Sequence, residues 1–353
     1  MSARRIFARP ARIAAIAPYV WMVLFFLVPF GFVLKIGLSQ TAIAQPPYVP
    51  VFGFSEGIAG IKAAFAALSL DNFRLLLSDD LYVLSYLRSV TVAVTSTAIL
   101  LVIGYPIAYG MARLPSRWQP LAMMLVIVPF WTSFLIRIYA WINILQHDGL
   151  LNQVLLALHL VSVPVVWLST DSAMYLGIIY SYLPFMILPL YATLAKMDPA
   201  LDEAAADLGA SPRLVFWLVT FPLSLPGVAA GVLLCFIPIV GEFVIPDLLA
   251  GSNSLMIGQT LWLEFFTNKD WPVASAVAVV LLALLLAPLL LYERLQRRQL
   301  EVGLGADRRT PSPPSPLRGG VGGGGAFDES HRFPLTPLPD PPPQGGREKR
   351  SRP

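Results

Sequence analysis

Two charged side chains, Arg137 and Glu242, stand inside long apolar stretches. An ionisable group at membrane depth is expensive, which makes each a functional candidate by default. A carboxylate such as Glu242, set among aromatic faces, is the chemistry that holds an ammonium cation by charge and by cation–π attraction. Trp131, Tyr139, Tyr180 and Tyr182 are the aromatic side chains expected to share that work along a substrate pathway. The competing expectation is that Arg137 and Glu242 pair with each other between spans, because burying either charge alone is costly. Asp247, Glu264 and Asp270 fall near the outer ends of apolar runs, where they are candidates to attract a cation or to meet an external partner. Taken singly, solvated loop charge is the plainer reading of each. His147 and His159 show no metal-ligand spacing and lie apart from any Cys or carboxylate cluster, so no metal site is expected.

The elements that must position these groups are membrane spans. Of 353 residues 56% are hydrophobic and only 13% charged, whereas a soluble domain carries about a quarter. Spans of about 20 residues fit at 14–38, 90–112, 120–145, 173–194, 226–248 and 271–292. The class is therefore an all-α polytopic membrane protein with six transmembrane helices. The first run follows Arg4, Arg5, Arg9 and Arg12 and precedes Ala42-Ile43-Ala44, which looks like a cleavage site. It is longer than the roughly 7–15 apolar residues of a secretory signal and is read as a retained span. Lys and Arg are concentrated on the side of the N-terminus, including Arg113, Arg117, Lys196 and Arg213, while 147–171 holds none. Both termini are thereby expected inside.

Domain limits follow as a basic N-terminus at 1–13, a first span at 14–38, an external segment at 39–88, a five-helix core at 89–293 and an internal tail at 294–353. Apolar residues recur at helical spacing before Arg88, predicting one or two short external helices. Beyond residue 300 the chain turns rich in Pro and Gly and is expected to be disordered. Its GVGGGG is not followed by Gly-Lys-Ser/Thr and makes no phosphate loop. The net charge of +4 gives no reason to expect nucleic acid. Cys235, the single cysteine, excludes an intrachain disulfide.

The internal loop at 196–222 is built rather than merely polar. Asp198-Pro199 is a helix start, and Gly209 suits the left-handed residue that ends one. Ser211-Pro212 repeats the start signal, predicting a second short helix towards Phe221-Pro222. Asp198, Asp202, Glu203 and Asp207 make the loop acidic, which anionic lipid headgroups repel. Leu201, Ala205 and Leu208 form an apolar stripe at helical spacing, suited to a groove on a protein partner. The alternative is a capped connector packed only on its own spans.

Glu203-Ala204-Ala205, three residues, Gly209, nine residues, then Val219, Thr220, Phe221 and Pro222 resembles the EAA loop of ABC-importer permeases. The spacing matches throughout, with Val219 and Phe221 as conservative departures. IVPFWTSFLIRIYAWINIL (127–145), GEFVIPDLLAG (241–251) and NKDWPVASAVAVV (268–280) are similar to permeases of spermidine/putrescine importers, most of all the putrescine type. The likeness runs from about residue 70 to residue 292. It implies that Glu203, Ala204, Ala205, Asp207, Gly209 and Pro222 belong to a coupling helix seated in a separate ATPase subunit. It further implies no cofactor on this chain, ATP and Mg on the partner, a second related permease, a periplasmic polyamine-binding protein, and a bacterial inner membrane. A diamine with two ammonium groups would suit Glu242 and its aromatic neighbours. A self-sufficient secondary transporter is disfavoured by the absence of a convincing internal duplication. An intramembrane enzyme is disfavoured by the absence of any nucleophile, metal or paired-carboxylate motif.

Overall fold

Residues 16, 18–51, 62, 65–251 and 254–307 are described in a computed structural model, with side chains to Arg294. The basic N-terminus and the tail past Asp307 lie outside them. The chain divides into two units, Met1–Arg298 and Gln299–Pro353, and the core and candidate site belong to the first. Among the described residues five helices are long and apolar enough to cross a membrane, or six where the bent pair is counted as one broken span.

Helix α1 (Pro18–Gly37) leaves most of its apolar side chains uncovered by the rest of the chain. A two-stranded hairpin follows, β1 (Gln40–Thr41) antiparallel to β2 (Tyr48–Val49), with Gln40 opposite Val49. The Lys35 ammonium donates to the Pro50 carbonyl and lies 4.4 Å from the Tyr48 ring, so this hairpin is fastened to the end of α1. Helix α2 (Asp71–Ser78) is one of the one or two short helices expected before Arg88. Helix α3 (Asp80–Arg113) then runs for 34 residues, absorbing the rest of the predicted external segment into the second span. Asp79 Oδ1 caps it by accepting the Leu81 N–H at 2.9 Å. It ends at Leu114, whose extended backbone is what a following proline imposes.

The third span is not the straight helix expected at 120–145. Helix α4 (Gln119–Ile127) tightens into a 3₁₀ turn, Val128–Trp131, and helix α5 (Phe134–Leu145) leaves at 88°. Pro129 lacks an N–H, and the extended backbone at Thr132 and Ser133 completes the break. Helix α6 (Leu150–Ala157) is held by the buried Asn152, which donates to the carbonyls of His147 and Val165 and accepts from Val165 N–H and Trp167 Nε1. Helix α7 (Asp171–Leu194) matches the expected fourth span.

Helix α8 (Pro199–Asp207) is the first of the predicted loop helices, and Gly209 adopts φ +87° just past it. The second predicted loop helix and the fifth span are one element, α9 (Pro212–Val240), with a π-helical turn at Phe216–Thr220. The expected fifth span at 226–248 is therefore corrected at both ends: the helix begins 14 residues earlier and stops before Gly241. Short helices α10 (Val244–Leu249) and α11 (Ile257–Trp262) follow, the latter continuing in a π turn, Leu263–Thr267. Helix α12 (Trp271–Asp307) replaces the disorder expected from 300 with helix through Asp307.

Helices α3, α7 and α9 enclose the main core, with Leu100, Ile178, Met186, Leu190 and Ile239 almost wholly buried. In hydrocarbon no water is expelled to drive two helices together, so close backbone approach and dispersion carry the association. Gly227 and Gly231, four residues apart on α9, provide that approach. A Cβ at Gly227 would sit 2.5 Å from Thr193 Oγ1 and 3.0 Å from the Pro189 carbonyl oxygen of α7. A smaller cluster joins Leu76 and Tyr82 to Ile257, Val273 and Val277.

Gly227→Leu should therefore force α7 and α9 apart and lower stability by about 1–3 kcal/mol, the usual cost of overpacking. Gly110→Leu, where nothing lies within 4 Å of the new Cβ, is the matched control. Thermal unfolding of the two purified variants checks this, and equal melting temperatures would refute the close-approach account.

Candidate functional site

On α8, Asp198 Oδ1 accepts the Ala200 N–H at 3.0 Å and Pro199 takes the first helical position. Glu203, Ala204, Asp207, Gly209 and Pro222 are all exposed, and Ala205 is half-buried towards its own chain. Leu208 is 90% exposed and Leu201 48%. The apolar stripe is thus not consumed by the chain's own spans, contrary to the capped-connector reading. Of the helix's acids, Asp202 alone has its side chain in an ion pair among the described residues, with Arg113.

The two intramembrane charges do not pair with each other. Glu242 is 9% exposed, and its Oε1 accepts the N–H groups of Phe243, Val244 and Ile245 at 3.2, 3.0 and 3.4 Å. Its Oε2 accepts the Tyr182 hydroxyl at 2.5 Å. The carboxylate is therefore the cap of α10, placed where a negative charge faces the free N–H groups of a helix start. Arg137 instead lies over aromatic rings, 4.9 Å from the Phe130 centroid and 5.9 Å from Phe134. It lines a cavity of about 520 Å³ with Phe130, Ser181, Tyr182, Phe185 and Leu234. Arg137 Nε and Ser181 Oγ are buried there with no hydrogen-bond partner.

Of the predicted pathway residues, the structure brings Arg137 and Tyr182 to this cavity and sets Glu242 behind Tyr182. Trp131 and Tyr139 are exposed, at 76% and 53%. Tyr180 packs edge-on against Trp141, at 5.4 Å between centroids.

Of the three acids expected at the outer side, Asp247 is exposed. Glu264 is buried and accepts from Tyr82 Oη and Asn268 Nδ2, each at 2.9 Å. Asp270 caps α12 through the Val273 N–H at 3.1 Å and accepts Thr41 Oγ1 at 2.7 Å. These two acids hold the fold, leaving Asp247 as the free one of the three. One polar cluster escaped the sequence reading: Arg88 donates to Asp171 Oδ1 at 2.6 Å and to Ser254 Oγ at 2.9 Å, and Ser254 donates to Asp171 at 2.7 Å. It ties α3, α7 and the segment before α11, and residues 83 positions apart leave no pattern to find.

A bundle of apolar spans that holds a capped, outward-facing acidic helix beside its ends has the build of a transport permease. The family described as binding-protein-dependent transport system inner membrane component matches residues 101–301, more than half of the 353 residues. The chain belongs to this family, the permease subunits of ABC importers. It is 38% identical over 277 residues to the spermidine/putrescine transport system permease protein PotB of Escherichia coli (strain K12), covering 78% of this chain and 94% of that protein. It is 39% identical over 238 residues to the protein of the same name from Haemophilus influenzae, covering 67% and 83%. A bacterial ABC transporter involved in the import of the acidic polysaccharide alginate has a chain that aligns with TM-score 0.60 at 17% identity, over 84% of this chain and 96% of its own, which is a likeness of fold.

Glu242→Ala should remove the cap of α10, at about 0.5–2 kcal/mol, and strand the buried Tyr182 hydroxyl, at about 1–3 kcal/mol more. Glu242→Gln, which keeps an acceptor, should fall between that variant and the parent. Melting of the purified protein decides it: an Ala variant as stable as the parent would contradict the capping role.

Proposed function

We propose that this chain is the transmembrane subunit of an ATP-driven importer that carries a polyamine inward, putrescine foremost and spermidine next. A separate pair of ATPase subunits hydrolyses ATP and grips α8. The single observation that carries the coupling reading is the exposure of Leu208 and Leu201 beside Glu203 and Asp207, on a helix capped at its start and stopped at Gly209. An apolar edge flanked by carboxylates fits a groove on a protein rather than an anionic membrane surface. The chain carries no phosphate-loop motif of its own. The remaining partners are a second, related permease and a periplasmic polyamine-binding protein, with both termini of this chain cytoplasmic.

The substrate reading rests on the PotB relatives and on aromatic walls suited to ammonium groups. One observation favours a second reading, an importer of some other small solute: the charge that lines the intramembrane cavity is the positive Arg137. Labelled putrescine uptake, in cells lacking their own systems and expressing this chain with its operon partners, separates the two. Uptake competed by putrescine or spermidine but not by an amino acid is the expected outcome. No uptake from an assembled complex would overturn the polyamine substrate and leave the family standing. In the same cells Glu203→Lys should cut uptake at least about tenfold, a coupling loss of ~1.4 kcal/mol, with membrane insertion unchanged. Normal uptake by that variant would remove the coupling role of α8.

A further inference from the structure

Asp202 is the acid of α8 that does not face outward. At roughly 100° per residue, Glu203 and Asp207 fall within about 40° of each other on the helix surface, and Asp202 is turned away from both towards the bundle. Its Oδ2 meets the guanidinium of Arg113, the last residue of α3. Its Oδ1 accepts the hydroxyl of Thr220 at 3.1 Å. Thr220 is 1% exposed and closes the π-helical turn of α9. One carboxylate thus joins three elements that the sequence separates by up to 107 positions.

The joint continues inward as packed side chains. The Arg113 guanidinium lies 5.2 Å from the Tyr109 ring, and Tyr109 meets Phe216 edge-on at 6.1 Å. Phe216 in turn meets Tyr105 edge-on at 5.7 Å, and the Tyr105 hydroxyl is 2.9 Å from Ser224 Oγ. These contacts run along the seam between α3 and α9, the helices that form the core with α7. Helix α8 buries none of its own residues, so little apolar packing sets its orientation.

A part-exposed ion pair of this kind adds at most about 1 kcal/mol to stability, and Arg113 and Asp202 side chains are 39% and 20% exposed. The small energy and the three-way geometry fit a part that sets position rather than one that holds the fold. We propose that Asp202 is the positioning residue that locks the coupling helix to the bundle, through Arg113 and Thr220, so that displacement of α8 passes to α3 and α9 together. The inference rests on the reading of α8 as the ATPase-facing helix, and reaches past it to the route by which motion enters the spans.

The test uses the whole transporter, this chain with its ATPase, second permease and binding protein, reconstituted in liposomes. Three readouts are taken: retention of the ATPase through purification, ATP hydrolysis, and polyamine uptake per ATP hydrolysed. Asp202→Asn and Arg113→Gln should each retain the ATPase and hydrolyse ATP while uptake per ATP falls about tenfold, within the usual range of coupling between sites. The charge swap, Arg113→Asp with Asp202→Arg, should recover a substantial part of that loss. Thr220→Val, which removes one hydrogen bond and leaves the ion pair, should show a smaller loss of the same kind. Parent-like uptake per ATP in Asp202→Asn, or a swap no better than its single variants, would overturn the proposal. Loss of the ATPase from the Asp202→Asn complex would overturn it too, because Asp202 would then be a docking residue. A parent chain that never associates with an ATPase fells the coupling reading itself, a result distinct from all of these.

Discussion

Backbone N–H and C=O groups in hydrocarbon have no water to turn to, so each interruption of a helix at that depth must be answered from within the chain. Glu242 is the clearest answer here. Between Val240 and Val244 the chain leaves α9 and starts α10, which frees donors at the new helix start. One carboxylate oxygen takes three of them, and the other is held by Tyr182 from α7. The same demand is met at two further helix starts, where Asp270 caps α12 and Asp79 caps α3. Acids that look free to receive a cation are, in these places, already engaged by the backbone.

That constraint separates what the sequence makes legible from what it hides. The loop around Glu203 is legible because its signals are local: Asp198-Pro199 and Gly209 state where a helix begins and ends whatever surrounds it. Fourth-span limits are legible for the same reason, with Thr170 capping a long apolar run. The 88° bend after Trp131 is hidden because apolar residues run on either side of it, and so is the continuity of α9, which starts at the marked Ser211-Pro212 but passes Pro222 and Pro226 without a break. Glu242 is visible as a charge in a greasy run, but its purpose depends on Tyr182, 60 residues away. Asp202 differs from Glu203 only in which way the helix faces, which composition does not encode.

The cavity beside Tyr182 joins aromatic walls to a single cation. Phe130, Phe134, Tyr182 and Phe185 offer faces to a cation, and Arg137 already covers the first two. No acid lines that cavity among the described residues. Aromatic walls without a fixed counter-charge attract an ammonium group weakly, and a nearby guanidinium raises its energy further. Passage asks for shallow wells, since a site that binds well also releases slowly. The polyamine reading is therefore compatible with walls that guide a substrate, provided its selection occurs elsewhere in the complex.

Helix α3 carries a polar joint near each end. Near its N-terminal end Arg88 is tied to Asp171 and Ser254, and at its C-terminal end Arg113 is tied to Asp202 and, through it, to Thr220. The 25 positions from Arg88 to Arg113 span about 37 Å of helix at 1.5 Å per residue, more than the hydrocarbon thickness. Between the joints, α3 packs on α7 and α9 mostly through buried apolar side chains, whose contacts have no directional preference, with a buried hydrogen bond between Tyr105 and Ser224 among them. A directional clasp near each end of the helix adds a fixed register to that packing. It is the polar ends, more than the larger apolar middle, that give such a helix a defined setting.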